Sequence, residues 1–207
     1  ETLSKKSTRL VCNMFYAHAD YLLMYNNYNW SYMEKIGCDS RRMRTIHNSL
    51  DTSLQTKIYS TLKPSSIFKE HFGNDNPVVI YIGRIQKRKK VEQIVESLLM
   101  GKKQGLDQDN GSVLRMVEQY GLSKNVWFYG PCFDENVNAQ LLYDSSVCVC
   151  PSEVGLTAIH ALSYGCPVIS NDNFEKQMPE FESIIEGKTG SFFRENDIED
   201  LLNKIKY

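Results

Sequence analysis

The chain has 207 residues, 24 % of them charged and 42 % apolar, with a formal net charge of −1 at pH 7. That length suits one large domain, or one domain with an appendage, and the balance is that of a soluble globular protein. The near-neutral total excludes a global polyanion-binding character but leaves room for a local patch; no nucleic-acid partner is expected, and no apolar run approaches the roughly 20 residues of a membrane span.

Residues 1–18 read as a helix of mixed polarity, followed by a short apolar strand, Tyr21–Tyr25. Asn29–Ile36 reads as a helix ended by Gly37, and Met43–Ile46 as another short strand. His47-Asn-Ser-Leu-Asp51-Thr is a polar link, and residues 53–76 form a linker with a connecting helix whose apolar stripe is Leu54, Ile58 and Leu62. Val78–Ile82, bounded by Pro77 and Gly83, is the continuous apolar run of a strand inside a parallel sheet. Gly83-Arg84-Ile-Gln-Lys87-Arg-Lys-Lys90 follows, then a helix from about Val91.

Between Lys90 and Gly111 there is too little chain for a full helix and a buried strand. Either a two-turn helix precedes a strand at Ser97–Met100, or the sheet lacks a strand here, and in both cases Lys102–Asn110 is expected to be an exposed, mobile loop. Gly111-Ser112 then caps a helix over Val113–Tyr120 that Gly121 ends, and Val126–Tyr129 reads as a strand closed by Gly130-Pro131. Asp134 or Asn136 caps a helix to Tyr143 with Leu141 and Leu142 inward.

The most informative stretch runs from Ser146 to Ile169. Ser146–Cys150 is a strand stopped by Pro151, Gly155 opens a turn, and a helix begins near Leu156 with Thr157 placed to cap it. Gly165 closes that helix and Pro167-Val-Ile starts the next strand. Asn171–Glu180 is a polar loop on the ligand side of the sheet, Gly187-Lys-Thr-Gly190 is a turn before a short strand, and Asn196–Tyr207 is a capped amphipathic helix. The chain starts at Glu1 rather than Met and shows no signal peptide, so it reads as a piece of something longer. Its six cysteines contain no Cys-x-x-Cys pair and read as free thiols in a reducing compartment, without the spacing of a zinc site.

Pro151-Ser152, Gly155-Leu156, Ala161, Gly165 and Pro167-Val168-Ile169 resemble the donor-binding motif of nucleotide-sugar glycosyltransferases of the GT-B fold, glycosyltransferase family four. Gly83-Arg84 with Lys89 five residues on resembles that family's diphosphate-binding pair, and Asn48 with Asp51 its inter-lobe link. Three departures stand out. His160 takes the place of the family's second glutamate, Glu153 lies one residue from the first, and Lys90 replaces a usual Gly.

The resemblance implies an α/β fold, a Rossmann-like, mostly parallel sheet with helices on both faces. Residues 1–52 would be a remnant of the acceptor lobe and link, and residues 53–207 the donor-binding domain. It implies retaining transfer from a UDP- or GDP-sugar to a hydroxyl of a saccharide or lipid-linked acceptor, in polysaccharide or glycolipid synthesis. Arg84, Lys89 and Glu153 are the expected catalytic residues, the first two neutralising the leaving diphosphate and Glu153 orienting the sugar. Gly83, Gly155, Leu156, Thr157, His160, Asn171 and Asn173 are the expected substrate-binding residues, with His160 facing the ribose or a phosphate; a neutral histidine on an apolar helix face is its competing account. No metal or other cofactor is expected. The cytoplasm is the expected location, with peripheral contact at the inner membrane face left open. A sugar-nucleotide epimerase and a donor-binding module without activity are the alternatives, and the chain alone is expected to be inactive for want of the acceptor lobe.

Overall fold

The computed structural model describes residues 3–101 and 113–206. The chain divides into two compact units, Glu1–Asn48 and Ser49–Tyr207, where the sequence suggested a boundary after residue 52. Among the described residues no helix is long and apolar enough to cross a membrane.

The first unit runs α1 (Leu3–His18), β1 (Leu22–Met24), α2 (Asn27–Lys35) and β2 (Met43–Thr45). The two strands pair in parallel, Leu22 opposite Met43. Asn26 caps α2 by accepting from the Asn29 N–H at 2.8 Å, and Met33 of α2 packs with Leu22 and Met43 into a small core.

The second unit contains α3 (Ser53–Tyr59), α4 (Ile67–Phe72), β3 (Val79–Ile80), α5 (Glu92–Gly101), α6 (Val113–Gln119), α7 (Glu135–Asp144), β4 (Val147–Cys150), α8 (Thr157–Ser163), β5 (Val168–Asn171), β6 (Gly190–Phe193) and α9 (Ile198–Lys206). Its four strands form a parallel sheet in the order β3-β4-β5-β6. The two-residue period of β4 splits the core between the two faces. Cys148 and Cys150 pack with Ala139 and Leu142 of α7 and Ala158 and Ala161 of α8, while Val147 and Val149 pack with Ile94 of α5 and Leu201 of α9. Burial on both sides is why these strands read as unbroken apolar runs. Cys148 and Cys150 are small core residues here, and a hydrogen bond with Cys150 together with burial pushes the Cys148 thiol well up.

Two positions depend on glycine. After α8, the Cys166 N–H reaches the Ala161 carbonyl and the Gly165 N–H that of Leu162, a closure with Gly165 at φ +75°. In β6, a Cβ on Gly190 would lie 1.8 Å from the Val168 carbonyl oxygen, so β5 and β6 can meet in this register only at a glycine.

One of the two alternatives offered for Ser97–Met100 is set aside, and two further expectations are corrected. Ser97–Met100 is helical, because Val91 just before α5 and Val95 and Leu99 within it recur at four-residue spacing and pack against Val113, Met116 and Val117 of α6. Among the described residues the sheet therefore has no strand between β3 and β4 in sequence, and the expected Lys102–Asn110 loop and Gly111-Ser112 cap lie outside the described residues. Val126–Tyr129 keeps the alternation of a strand without ladder pairing. Val126 and Phe128 face the α5–α6 cluster, whereas Trp127 stacks on His71 of α4 with ring centroids 3.9 Å apart. The strand expected over Val78–Ile82 pairs only at Val79 and Ile80, since the chain turns away through Tyr81 to Gly83.

Candidate functional site

A cleft of about 50 Å³ opens at the C-terminal ends of β3 and β4, the edge of an open parallel sheet where ligands bind. Tyr81, Ile82, Gly83 and Lys89 line one side, and Cys150, Ser152–Gly155 and Thr157 the other. Gly83 has φ +153°, and a Cβ there would lie 2.8 Å from the Tyr81 hydroxyl, which donates to the Arg84 carbonyl at 3.0 Å. Glycine thus lets the chain leave β3 and turn at once into the basic loop. Burial pushes the Tyr81 hydroxyl up to about 12, so it remains a neutral donor.

Lys89 sits at the end of a single 3₁₀ turn, Lys87–Lys89, with its side chain 23 % exposed. Its Nζ meets Glu153 Oε1 at 3.0 Å and donates to the Glu153 carbonyl at 3.0 Å. Arg88 Nη1 donates to the same carboxylate oxygen, and Ser152 Oγ donates to Oε2 at 2.5 Å. Desolvation raises the Glu153 carboxyl, but the hydrogen bonds from Ser152 and Lys89 and the Lys89 charge outweigh it and hold the group at about 2. Glu153 is an anion at any physiological pH, fixed beside two cations.

The loops behind this pair are stitched by amides. Asn171 at the end of β5 is 3 % exposed, and its Nδ2 donates to the carbonyls of Pro151 and Ser152 at 3.0 Å each, acceptors that no ladder bond reaches past Pro151. Gln177 Oε1 accepts from the Val154 N–H at 2.8 Å while its Nε2 donates to the Asn171 carbonyl at 2.9 Å. Lys90 is left-handed, with φ +53°, a conformation a glycine adopts without cost and the reason a Gly suits this position. Its Nζ is anchored on Asn196 Oδ1 at 2.7 Å and Glu195 Oε1 at 3.2 Å, and Asn173 Nδ2 donates to Glu195 Oε2 at 2.6 Å.

His160 of α8 does not line the cleft. Its Nε2 meets Glu135 Oε1 at 2.8 Å, and the same oxygen accepts from Tyr164 Oη at 2.5 Å and Gln55 Nε2 at 3.2 Å. Burial raises the Glu135 carboxyl, but the bonds from Tyr164 and His160 prevail and lower it. Among the described residues no three His, Cys, Asp or Glu side chains are placed to share a metal ion.

Of the expected residues, Gly83, Lys89, Glu153, Gly155 and Thr157 therefore come together on the cleft. Arg84 is exposed beside it, and among the described residues its side chain makes no hydrogen bond or ion pair. Leu156 is the N-cap of α8 and makes no side-chain cap bond, so Thr157 is the first helical residue rather than the cap. A Cβ on Gly155 would sit 3.7 Å from Met178 Cγ, an ordinary contact. Asn171, Asn173 and His160 do not line this cleft, and their side chains are hydrogen-bonded within the protein. Arg88, Glu135, Gln177 and Glu195 were missed. Arg88 stands out in the basic run, whereas the bonds of Glu135 to His160, Gln177 to Val154 and Glu195 to Asn173 span 22 or more residues and leave no local signal.

Residues 63–207 match the family model described as glycosyl transferases group 1. A search of curated proteins finds no match to the sequence. Among solved structures, sucrose-phosphate synthase from Thermosynechococcus elongatus is similar at 23 % identity with a TM-score of 0.66, over 97 % of this chain and 52 % of that one. The Anabaena protein HepE in complex with UDP is similar at 18 % identity with a TM-score of 0.72, over 99 % and 58 %. The C-terminal domain of a glycosyl transferase group 1 family protein, LpcC from Francisella tularensis, is similar at 20 % identity with a TM-score of 0.54, over 73 % and 85 %. These likenesses establish a shared GT-B fold, and the chain spans about half the length of the first two proteins.

Proposed function

Because the chain belongs to the glycosyl transferases group 1 family, we propose that it is the donor-binding part of a glycosyltransferase that moves a sugar from a UDP- or GDP-sugar to an acceptor hydroxyl with retention of anomeric configuration. The observation that carries this reading is the Lys89–Glu153 pair at 3.0 Å, set in a cleft at the ends of β3 and β4 within the matched residues. Solved structures of HepE with UDP and with UDP-glucose, proteins of the same fold, support a nucleotide-sugar donor.

In this reading Lys89, with Arg84 swinging in from the exposed loop, neutralises the charge that develops on the leaving diphosphate. Loss of one such preorganised donor raises a barrier by about 2.7–4 kcal/mol. That stabilisation comes from side-chain cations, and no step calls on a metal. Glu153, ionised throughout, orients the donor sugar by accepting from its hydroxyls. Residues 1–52 belong to the acceptor lobe, and the acceptor is a saccharide or lipid-linked hydroxyl in cytoplasmic polysaccharide or glycolipid synthesis. Residues 1–207, which span about half the length of the solved proteins they resemble, do not turn over by themselves, because both lobes are needed to position the acceptor and exclude water. The test is to supply the full-length protein with UDP- and GDP-sugars and candidate acceptors and to determine the anomeric configuration of the product. Retention is expected; inversion, or release of an epimerised donor, would overturn the reading.

A further inference from the structure

The basic loop carries a cation outside the Gly-Arg-x4-Lys pattern. Arg88 and Lys89 are neighbours on one 3₁₀ turn, and both reach Oε1 of Glu153 across the cleft. Arg88 Nε also donates to Gln86 Oε1 at 3.0 Å, a second hydrogen bond that holds the guanidinium beside the carboxylate. The carboxylate side chain is 18 % exposed and the Arg88 side chain 66 %, so the arginine covers the anion from the solvent side. An Arg fork and a compact ammonium around shared oxyanions form the arrangement that recognises phosphate oxygens. A diphosphate carries more negative charge than a carboxylate and competes for both cations.

We propose that Arg88 is a diphosphate-binding residue of this site and that Glu153 is the internal anion it exchanges. The donor's diphosphate takes over Arg88 and Lys89, and the displaced carboxylate, still bonded to Ser152, turns to the sugar hydroxyls. The inference rests on the nucleotide-sugar reading and adds to it a residue and a competition. A largely buried carboxylate stripped of its cations is costly, so the exchange is favoured when the incoming ligand also offers hydroxyl donors. Glu153 thereby links diphosphate capture to the presence of a sugar.

The experiment is calorimetric titration of UDP and of GDP into the wild-type protein, Glu153→Gln, Arg88→Gln and the double variant, each first checked for a cooperative melt. Removing the competing charge is expected to tighten nucleotide binding about fivefold, the penalty that a partly exposed ion pair imposes on the competent population. Arg88→Gln is expected to weaken binding about fivefold in the wild-type background and again in the Glu153→Gln background. If Arg88 serves only to neutralise Glu153, its substitution is silent once Glu153 is Gln, and the proposal is overturned. Binding to Glu153→Gln no tighter than to wild type overturns the exchange. If no variant, wild type included, binds either nucleotide, the nucleotide-sugar reading fails and this inference with it, an outcome distinct from binding that is present but unaltered.

Discussion

Replacing Glu195 by Gln removes the charge that ties the two loops behind the cleft together. Its carboxylate accepts from Asn173 Nδ2 at 2.6 Å and Lys90 Nζ at 3.2 Å, with Lys176 Nζ at 3.3 Å. The hydrogen bond from Asn173 is the largest influence, burial opposes it, and the Lys90 and Lys176 contacts add to it, taking the group from its ordinary 4.5 to about 2. At about 1.36 kcal/mol per pKa unit, the shift bounds the contribution near 3 kcal/mol. The side chain is 21 % exposed and that of Lys176 70 %, so solvent screening leaves roughly 1–2 kcal/mol. A pKa lowered on folding makes this stabilisation complete above pH 4.5 and removes it as pH falls toward 2. Urea unfolding of both proteins from pH 7 to pH 2 should show wild type ahead by that amount at neutral pH, with the gap closing below pH 4.5. Glu153 titrates in the same window but is common to both proteins and cancels in the difference. A gap independent of pH, or none at pH 7, would refute the reasoning.

Two further substitutions probe the frame. Gly190→Ala forces a Cβ onto the Val168 carbonyl and should destabilise by more than about 4 kcal/mol, read as a collapse of the thermal midpoint; a shift of only a few degrees would mean that β6 moves aside freely. Tyr164→Phe removes a charge-assisted bond to Glu135 in a side chain only 1 % exposed and should cost about 1.5–3 kcal/mol in denaturant unfolding, an effect that should shrink to about 0.5–1.5 kcal/mol in a Glu135→Gln background, where the amide oxygen still accepts but carries no charge.

Where local chemistry decides, the sequence was a sufficient guide. Pro151 stops β4, Gly165 closes α8, and the apolar run of β5 requires burial on both faces; none of these depends on a distant partner. Where an apolar run fits two periods, it was not. Val95 and Leu99 complete a helical stripe only because α6 lies against them, which removes the strand considered at Ser97–Met100. Trp127 leaves the ladder for a stack with His71, a residue 56 positions earlier that no local pattern indicates. In the site, Lys89 and Glu153 were legible because each lies just after the end of a strand on the cleft edge. Asn171, Asn173 and His160 lie equally near strand or helix ends, yet their side chains satisfy Pro151 and Ser152, Glu195 and Glu135 in turn. Sequence position fixed their backbone location but not the direction in which they spend their hydrogen bonds.

In the proposed reading, Lys89 at the β3–β4 cleft recognises a nucleoside diphosphate. Thermal melting with and without UDP or GDP, in the wild type and in Lys89→Ala, addresses it most directly. A ligand at 100 times its dissociation constant stabilises by about 2.7 kcal/mol, which for a chain of this size raises the midpoint by roughly 5–10 °C. That rise is expected with at least one of the two nucleotides in wild type, and its loss in Lys89→Ala. An equal rise in both proteins would contradict it.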